Sequence, residues 1–219
     1  MGKGEDGRFR VLSVDDVEPL AVGHDLMVPL RRLLGVQAFG INAFVGRQPG
    51  DTVVGVHDEL GGYAAGHEEA YLVVRGRATV TADGKSFDAP PGTILFAQDP
   101  AVKRGVVAAE PDTVVIVLGG AAGEAYRPGA WEYGYVAAGL ASREDWAGAD
   151  EALAEGLIAY PKSAQLWYNR ACFAALSGSS ETALEHLAEA LRHDPDTVRE
   201  WGAEDSDLDV LRGDPRFPL

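Results

Sequence analysis

Residues 50–59 read GDTVVGVHDE; a glycine-rich link, LGGYAAG, fills 60–66, and residues 67–76 read HEEAYLVVRG. Both flanks have strand composition, rich in Val, Tyr and Leu, and Gly50 and Gly76 bracket them. Residues two apart on a strand share a face. His57 and Glu59 therefore point one way, and so do His67 and Glu69. If the two strands pair across Leu60–Gly66, all four side chains converge. Two imidazoles and two carboxylates suit one divalent transition metal such as Fe, Mn, Ni or Zn. A slip of one residue would turn both glutamates to solvent. Tyr71 and Val73 share the Glu69 face as wall, which makes Tyr71 a candidate to line a ligand.

Outward from this stretch, short β-type runs are expected at Gln37–Val45, Thr52–His57, Glu69–Ala82, Thr93–Ala97, Gly105–Ala109 and Thr113–Leu118. Turn chemistry separates them: Gln48-Pro49-Gly50-Asp51, Asp83-Gly84 and Pro90-Pro91-Gly92. Asp83-Gly84 between two such runs is a two-residue hairpin signal. Many short strands at this spacing imply a sandwich or barrel. Leu26–Leu34 (LMVPLRRLL) is expected to form a short helix or an irregular arm.

Near Glu124 the composition changes to Ala, Leu and Glu at helical spacing. A shift of 34 residues lays Glu151, Leu153, Ala154, Glu155, Leu157 and Pro161 on the identical Glu185, Leu187, Ala188, Glu189, Leu191 and Pro195. The better copy, Ala164–Pro195, carries Trp167, Ala171, Gly178, Ala183, Leu187, Ala190 and Pro195; the first has Gly156 where the second has Ala190. This period of paired helices ending in proline resembles the tetratricopeptide (TPR) repeat. The tail from Trp201 reads as a closing helix, Asp207–Leu211, of the kind a helical array needs. Two repeats are few for independent stability. Docking on the barrel, or on a second copy of the chain, through Trp131, Tyr133, Tyr135 and Trp146 is the expectation that follows.

The first half resembles the cupin superfamily, the RmlC-like jelly rolls. The first cupin motif runs Gly, about five residues, His-x-His, three or four residues, Glu, six residues, Gly. Gly50, His57, Glu69 and Gly76 follow it, with Glu59 in place of the second histidine and a longer loop. The second motif keeps Gly84, Pro90 and Gly92 but has Leu95 at the nominal histidine. Where many cupins have Pro-x-x-x-His, Pro100 is followed by Lys103 and Arg104. The resemblance implies a β + α two-domain protein: a cupin double-stranded β-helix (jelly-roll) barrel followed by an α-helical TPR-like hairpin array. The expected boundaries are an N-terminal arm at 1–36, the barrel at 37–123, two repeats at 124–199, and a capping helix and tail at 200–219.

The resemblance carries a metal role to His57 and Glu69, with Glu59 and His67 as substitutes. Lys103 or Arg104 is left near the fourth ligand's place. A basic residue there opposes a divalent cation. It could instead bind an anionic group of a small ligand, form a salt bridge with Glu69 or Glu59, or pair at the surface. Three functions follow. The first is a cupin that binds a small molecule or a divalent metal, or no metal, with the repeat half recruiting a protein. The second is a metal-dependent enzyme of the oxygenase or isomerase class. The third is a structural homo-oligomer, such as a homodimer.

Other signals are bland. His24, His186 and His193 join no constellation, and Cys172 reads as helix packing. Glu204-Asp205-Ser206-Asp207 lacks the calcium-loop pattern, and no Gly-Lys-Ser/Thr or nucleophile motif is present. The chain of 219 residues carries 19 Lys+Arg against 34 Asp+Glu, a net charge of −15. That balance argues against nucleic acid or anionic membrane as partner. Residues 1–125 hold 11 basic and 17 acidic side chains (net −6), and 126–219 hold 8 and 17 (net −9). A basic peptide is thus the expected partner of the repeat half. The opening residues MGKGEDGRFR lack the apolar core of a signal peptide, and a cytoplasmic location is the expectation.

Overall fold

The computed structural model describes residues 2–3, 9–23, 25–60 and 66–219. His24 and most of the glycine-rich link lie outside the described residues. The chain divides into two units, Met1–Gly129 and Ala130–Leu219.

The first unit is antiparallel β. Its strands are β1 (Gly2–Lys3), β2 (Arg10–Val11), β3 (Leu20–Val22), β4 (Asp25–Val28), β5 (Gly40–Gly46), β6 (Thr52–His57), β7 (Glu68–Arg75), β8 (Ala78–Ala82), β9 (Lys85–Ala89), β10 (Ile94–Ala97), β11 (Arg104–Ala108) and β12 (Thr113–Gly120), with a short helix α1 (Leu30–Leu34) after β4. A six-stranded sheet has the order β10-β7-β12-β5-β4-β3, and a four-stranded sheet the order β6-β11-β8-β9. From β5 onward each strand passes to the other sheet except at the β8–β9 hairpin, which stays in one, and this is the jelly-roll order. The expected closed barrel is corrected here: the two hydrogen-bonded ladders stay separate, giving an open sandwich. Val53, Tyr71, Val73, Ala78, Val80, Val106, Val115 and Val117 are buried within it.

Local chemistry sets the corners. The run expected as one strand over Glu69–Ala82 is broken at Gly76, whose φ is +67°. A Cβ there would stand 2.8 Å from the Thr113 Cα, so the chain turns at the one residue without a side chain. As a result β7 and β8 enter different sheets. Asp83 and Gly84 adopt φ of +46° and +75°, joining β8 to β9 in the twisted turn that suits a hairpin.

The segment expected as an arm supplies β3 and β4 to the six-stranded sheet. With α1, it packs Leu12, Val14, Val17, Leu26, Leu33 and Leu34 around Ala43, Val45 and Val114. These residues lie on the sheet face opposite to Phe44 and Val115, so the segment covers the sandwich's outer side.

The second unit contains α2 (Ala130–Ala141), α3 (Trp146–Ala159), α4 (Ala164–Leu176), α5 (Ser180–His193), α6 (Pro195–Gly202) and a 3₁₀ helix, Ser206–Leu211. Asp145 and Ser163 cap α3 and α4 by accepting from the backbone N–H of Gly148 and Leu166. Helices α2 and α3 pack as one pair, α4 and α5 as another. Ala171 and Ala190 are fully buried between helices. Gly156 departs from its counterpart for a reason: a Cβ there would stand 2.8 Å from the Tyr133 side chain and 2.9 Å from Leu166. Pro195 stands just past the end of α5, as expected, and opens α6. Leu208 and Leu211 of the 3₁₀ helix then close the core of Ala171, Cys172, Leu184 and Leu187. No described helix is long and apolar enough to cross a membrane.

Candidate functional site

β6 and β7, read as hairpin partners, do not pair. β6 belongs to the four-stranded sheet and β7 to the six-stranded one, so their side chains meet across the sandwich rather than within a ladder. His57 ends β6 directly opposite Arg104, the first residue of β11. Glu69 and Tyr71 reach toward them from β7. Glu59 follows β6, its backbone N–H donating to the Pro100 carbonyl at 2.8 Å.

Arg104 decides the chemistry of this end. Its side chain is fully buried; Nη2 donates to Glu69 Oε2 at 2.7 Å, and Nε donates to the same oxygen and to the Tyr71 oxygen at 3.2 Å. Nη1 donates to the carbonyls of Pro100 and Val102 at 3.1 and 2.9 Å. Glu59 Oε1 lies 4.0 Å from Nη2. All three guanidinium nitrogens are therefore held by partners. The Tyr71 hydroxyl donates to Glu69 Oε2 at 2.5 Å.

His57 stands at the rim. Its Nδ1–H donates to the Gly55 carbonyl at 2.8 Å, which turns Nε2 toward the Tyr71 oxygen at 3.3 Å and Glu69 Oε2 at 3.6 Å. Since the Tyr71 proton is committed to Glu69, a second proton on His57 finds acceptors at once. Burial alone would lower the His57 pKa, but Glu69 outweighs it and raises the value above the usual 6.5. Burial would likewise raise Glu69, yet its bonds to His57, Tyr71 and Arg104 hold it below 4.5. Burial and the Glu69 charge push the Tyr71 phenol up, out of reach of physiological pH.

The predicted metal set separates on inspection. His57, Glu59 and Glu69 bring one donor atom each within 4.8 Å of one another. His67 is not in that group; it is buried, with its ring 5.2 Å from that of Tyr126. Lys103 is exposed, and its recorded bonds are backbone ones to Asp83. The three clustered donors do not suit a divalent ion while Arg104 holds Glu69. Arg104 already takes the Glu69 Oε2 that faces the cluster, so an ion there would have to displace the guanidinium or sit beside it against like-charge repulsion. Two residues escaped the sequence reading. Tyr126 lies beyond the expected barrel boundary, and Asn42 was legible only as a polar member of the alternating run GINAFVG.

No protein-family model matches the sequence, nor does any curated protein. Among solved structures, the chain is similar to KdgF from a Halomonas species, with 20% identity and a TM-score of 0.40 over 52% of this chain and 93% of that one. It is similar to an RmlC-like cupin protein from Desulfovibrio desulfuricans, with 20% identity and a TM-score of 0.40 over 51% and 96%. A cupin protein from Bacteroides fragilis aligns with 22% identity and a TM-score of 0.38 over 55% and 92%.

Proposed function

We propose that the β unit is a cupin-type sandwich that binds a small molecule without metal, with Arg104 in the place a metal ligand takes in the cupin motif. One observation carries this reading: a fully buried guanidinium bonded to Glu69 and anchored by two carbonyls, at the position of the histidine in Pro-x-x-x-His. Arg104 already sets a fixed positive charge between the Glu59 and Glu69 carboxylates. Metal analysis of tag-free protein tests it. The expected content of Fe, Mn, Ni and Zn is far below one ion per chain. A near-stoichiometric ion that disappears in a His57→Ala, Glu69→Ala double variant would instead favour the metal-dependent enzyme.

For the second unit we propose a tetratricopeptide-type array that receives a basic segment of a partner protein. Two helix pairs in the 34-residue register, with the larger share of the acidic excess, support this. A fluorescent Lys/Arg-rich peptide should bind the full chain and lose affinity as ionic strength rises. Binding indifferent to salt, or absent, counts against the proposal.

A further inference from the structure

The segment that covers the outer side of the six-stranded sheet leaves a cleft of about 80 Å³ where it meets the ends of β5 and β7. Val14, Val17, Pro19 and Val45 line it with apolar groups, and Asp15, Arg47 and Arg75 supply its charges. Two guanidiniums against one carboxylate give the cleft a charge of +1, in a chain whose net charge is −15. Arg75 ends β7 at the opposite end from Glu69, so the cleft is separate from the cluster around Arg104.

One residue sets both guanidiniums in place. The Asp112 N–H donates to the Arg47 carbonyl at 3.3 Å, and the Asp112 carbonyl accepts from Arg75 Nε at 3.0 Å. Its carboxylate lies 3.5 Å from Arg47 Nη1. Asp112 does this with a φ of +51°. A left-handed backbone is uncommon outside glycine, although aspartate tolerates it better than most residues. Such conformations persist where the surrounding structure fixes them, and they gather where ligands are held.

The cleft already takes one carboxylate, supplied by the chain itself. Arg75 Nη1 donates to Asp15 Oδ1 at 2.5 Å, and the Ser13 hydroxyl steadies Asp15 by accepting its backbone N–H at 3.3 Å. Donors remain: Arg75 Nη2, Arg47 Nε and Arg47 Nη2 make no hydrogen bond among the described residues. Below them the floor is hydrocarbon, with Val45 only 4% exposed. An apolar cavity of about 150 Å³ holds benzene, so this cleft has room for about three carbons, an isopropyl group.

We propose that this cleft binds a short branched aliphatic monocarboxylate, with the carboxylate on Arg47 and Arg75 and the hydrocarbon on Val14, Val17 and Val45. A planar carboxylate matches the guanidinium fork, and its charge-assisted bonds are about twice as strong as those of a neutral amide. One negative charge cancels the +1 of the cleft. A dianion such as phosphate would leave an excess beside Asp15, and an amine would meet two guanidiniums. A small polar anion would leave the apolar floor bare. Two sources carry the selected chemistry: a free acid, and the C-terminal valine of a peptide. The site does not depend on what the Arg104 cluster binds.

The test is a titration of the isotope-labelled full chain at constant ionic strength, followed by the backbone amides of Val45 and Arg47 and the Nε–H signals of Arg47 and Arg75. Isovalerate should give saturable shifts, with isovaleramide, acetate and inorganic phosphate each at least tenfold weaker. Arg47→Gln should weaken isovalerate at least tenfold and leave the thermal midpoint in place, because its ion pair with Asp112 is exposed. Asp15→Asn raises the cleft charge to +2, releases Arg75 Nη1 and should tighten isovalerate severalfold. Acetylalanylvaline distinguishes the sources: tighter than isovalerate, it assigns the cleft to a peptide C-terminus, and weaker, to a free acid. Isovaleramide or acetate binding as tightly as isovalerate, or phosphate binding more tightly, overturns the assigned class. No saturation with isovalerate, or an unchanged affinity in Arg47→Gln, overturns the site itself.

Discussion

Among the described residues, each unit contains one cluster of donors of the kind metals take: His57, Glu59 and Glu69 in the sandwich, and Cys172, Asp205 and Asp207 in the helices. In the sandwich a fixed positive charge sits among the carboxylates. In the helical unit neutral donors hold the Asp205 carboxylate instead. The Tyr168 hydroxyl donates to Asp205 Oδ2 at 2.6 Å, and the Cys172 thiol points at the same oxygen at 3.6 Å. The other oxygen, Oδ1, accepts the Asp207 backbone N–H and so caps the 3₁₀ helix. Burial, reinforced by Asp205 and Asp207, pushes the thiol up, away from the thiolate a metal would need. Proximity of donors is therefore a poor guide to a metal. On the reading proposed above, the neighbours that already satisfy those donors make one cluster an ion pair and the other a clasp.

The comparison breaks most visibly at Arg104. Arg104→Ala removes the buried cation that faces Glu59 and Glu69, and loss of one partner of a buried pair costs about 3–5 kcal/mol. The same change removes the repulsion that opposes a divalent ion. Added Zn²⁺ or Mn²⁺ should therefore raise the thermal midpoint of Arg104→Ala while leaving that of the parent chain unchanged. Asp205→Ala is the counterpart in the other unit. It removes a cap and leaves the Tyr168 hydroxyl without its acceptor, a combined loss of about 1–3 kcal/mol, and metal should not restore it. The readouts separate because all four tryptophans, Trp131, Trp146, Trp167 and Trp201, lie in the helical unit. Fluorescence then follows that unit, and the far-ultraviolet β signal follows the sandwich. A metal response in Asp205→Ala, or none in Arg104→Ala, would invert the distinction between pair and clasp.

What the sequence disclosed follows the range of the interactions involved. Asp83-Gly84 and the 34-residue register from Glu151 to Pro195 are local or periodic, and the structure shows a hairpin at the first and helix pairs at the second. The site depended on longer range. His57 and Glu69 are close in the chain, which suggested a hairpin, but jelly-roll alternation sends them to opposite sheets. Lys103 and Arg104 were equivalent candidates until register placed one outside and the other fully inside, the single-residue sensitivity of any strand. Leu26–Leu34 was apolar without a clear period, because a strand, a proline and a short helix share its nine residues. Asn42 Oδ1, buried without a hydrogen-bond partner among the described residues, has no sequence signature at all, since satisfaction of a buried group depends on every element around it.

A smaller effect sharpens the same contrast through pH. Glu69 has a depressed pKa in the folded sandwich, so its stabilisation is complete above the carboxylate's ordinary 4.5 and is lost as pH falls through the lower folded value. His57 has a raised pKa, so its stabilisation is complete below the imidazole's ordinary 6.5 and is lost as pH rises through the higher folded value. Both contributions are fully present together only between 4.5 and 6.5. The far-ultraviolet midpoint of the sandwich should peak in that window and decline on each side. His57→Gln should flatten the decline above 6.5 and leave the acid side in place, since Arg104 and Tyr71 still hold Glu69. The His57 side chain is 36% exposed, so solvent screening keeps this effect below that of Arg104→Ala. A decline above 6.5 that persists unchanged in His57→Gln would show that the imidazole stands outside the ion-pair network, reducing the cluster to Arg104 and its carboxylates.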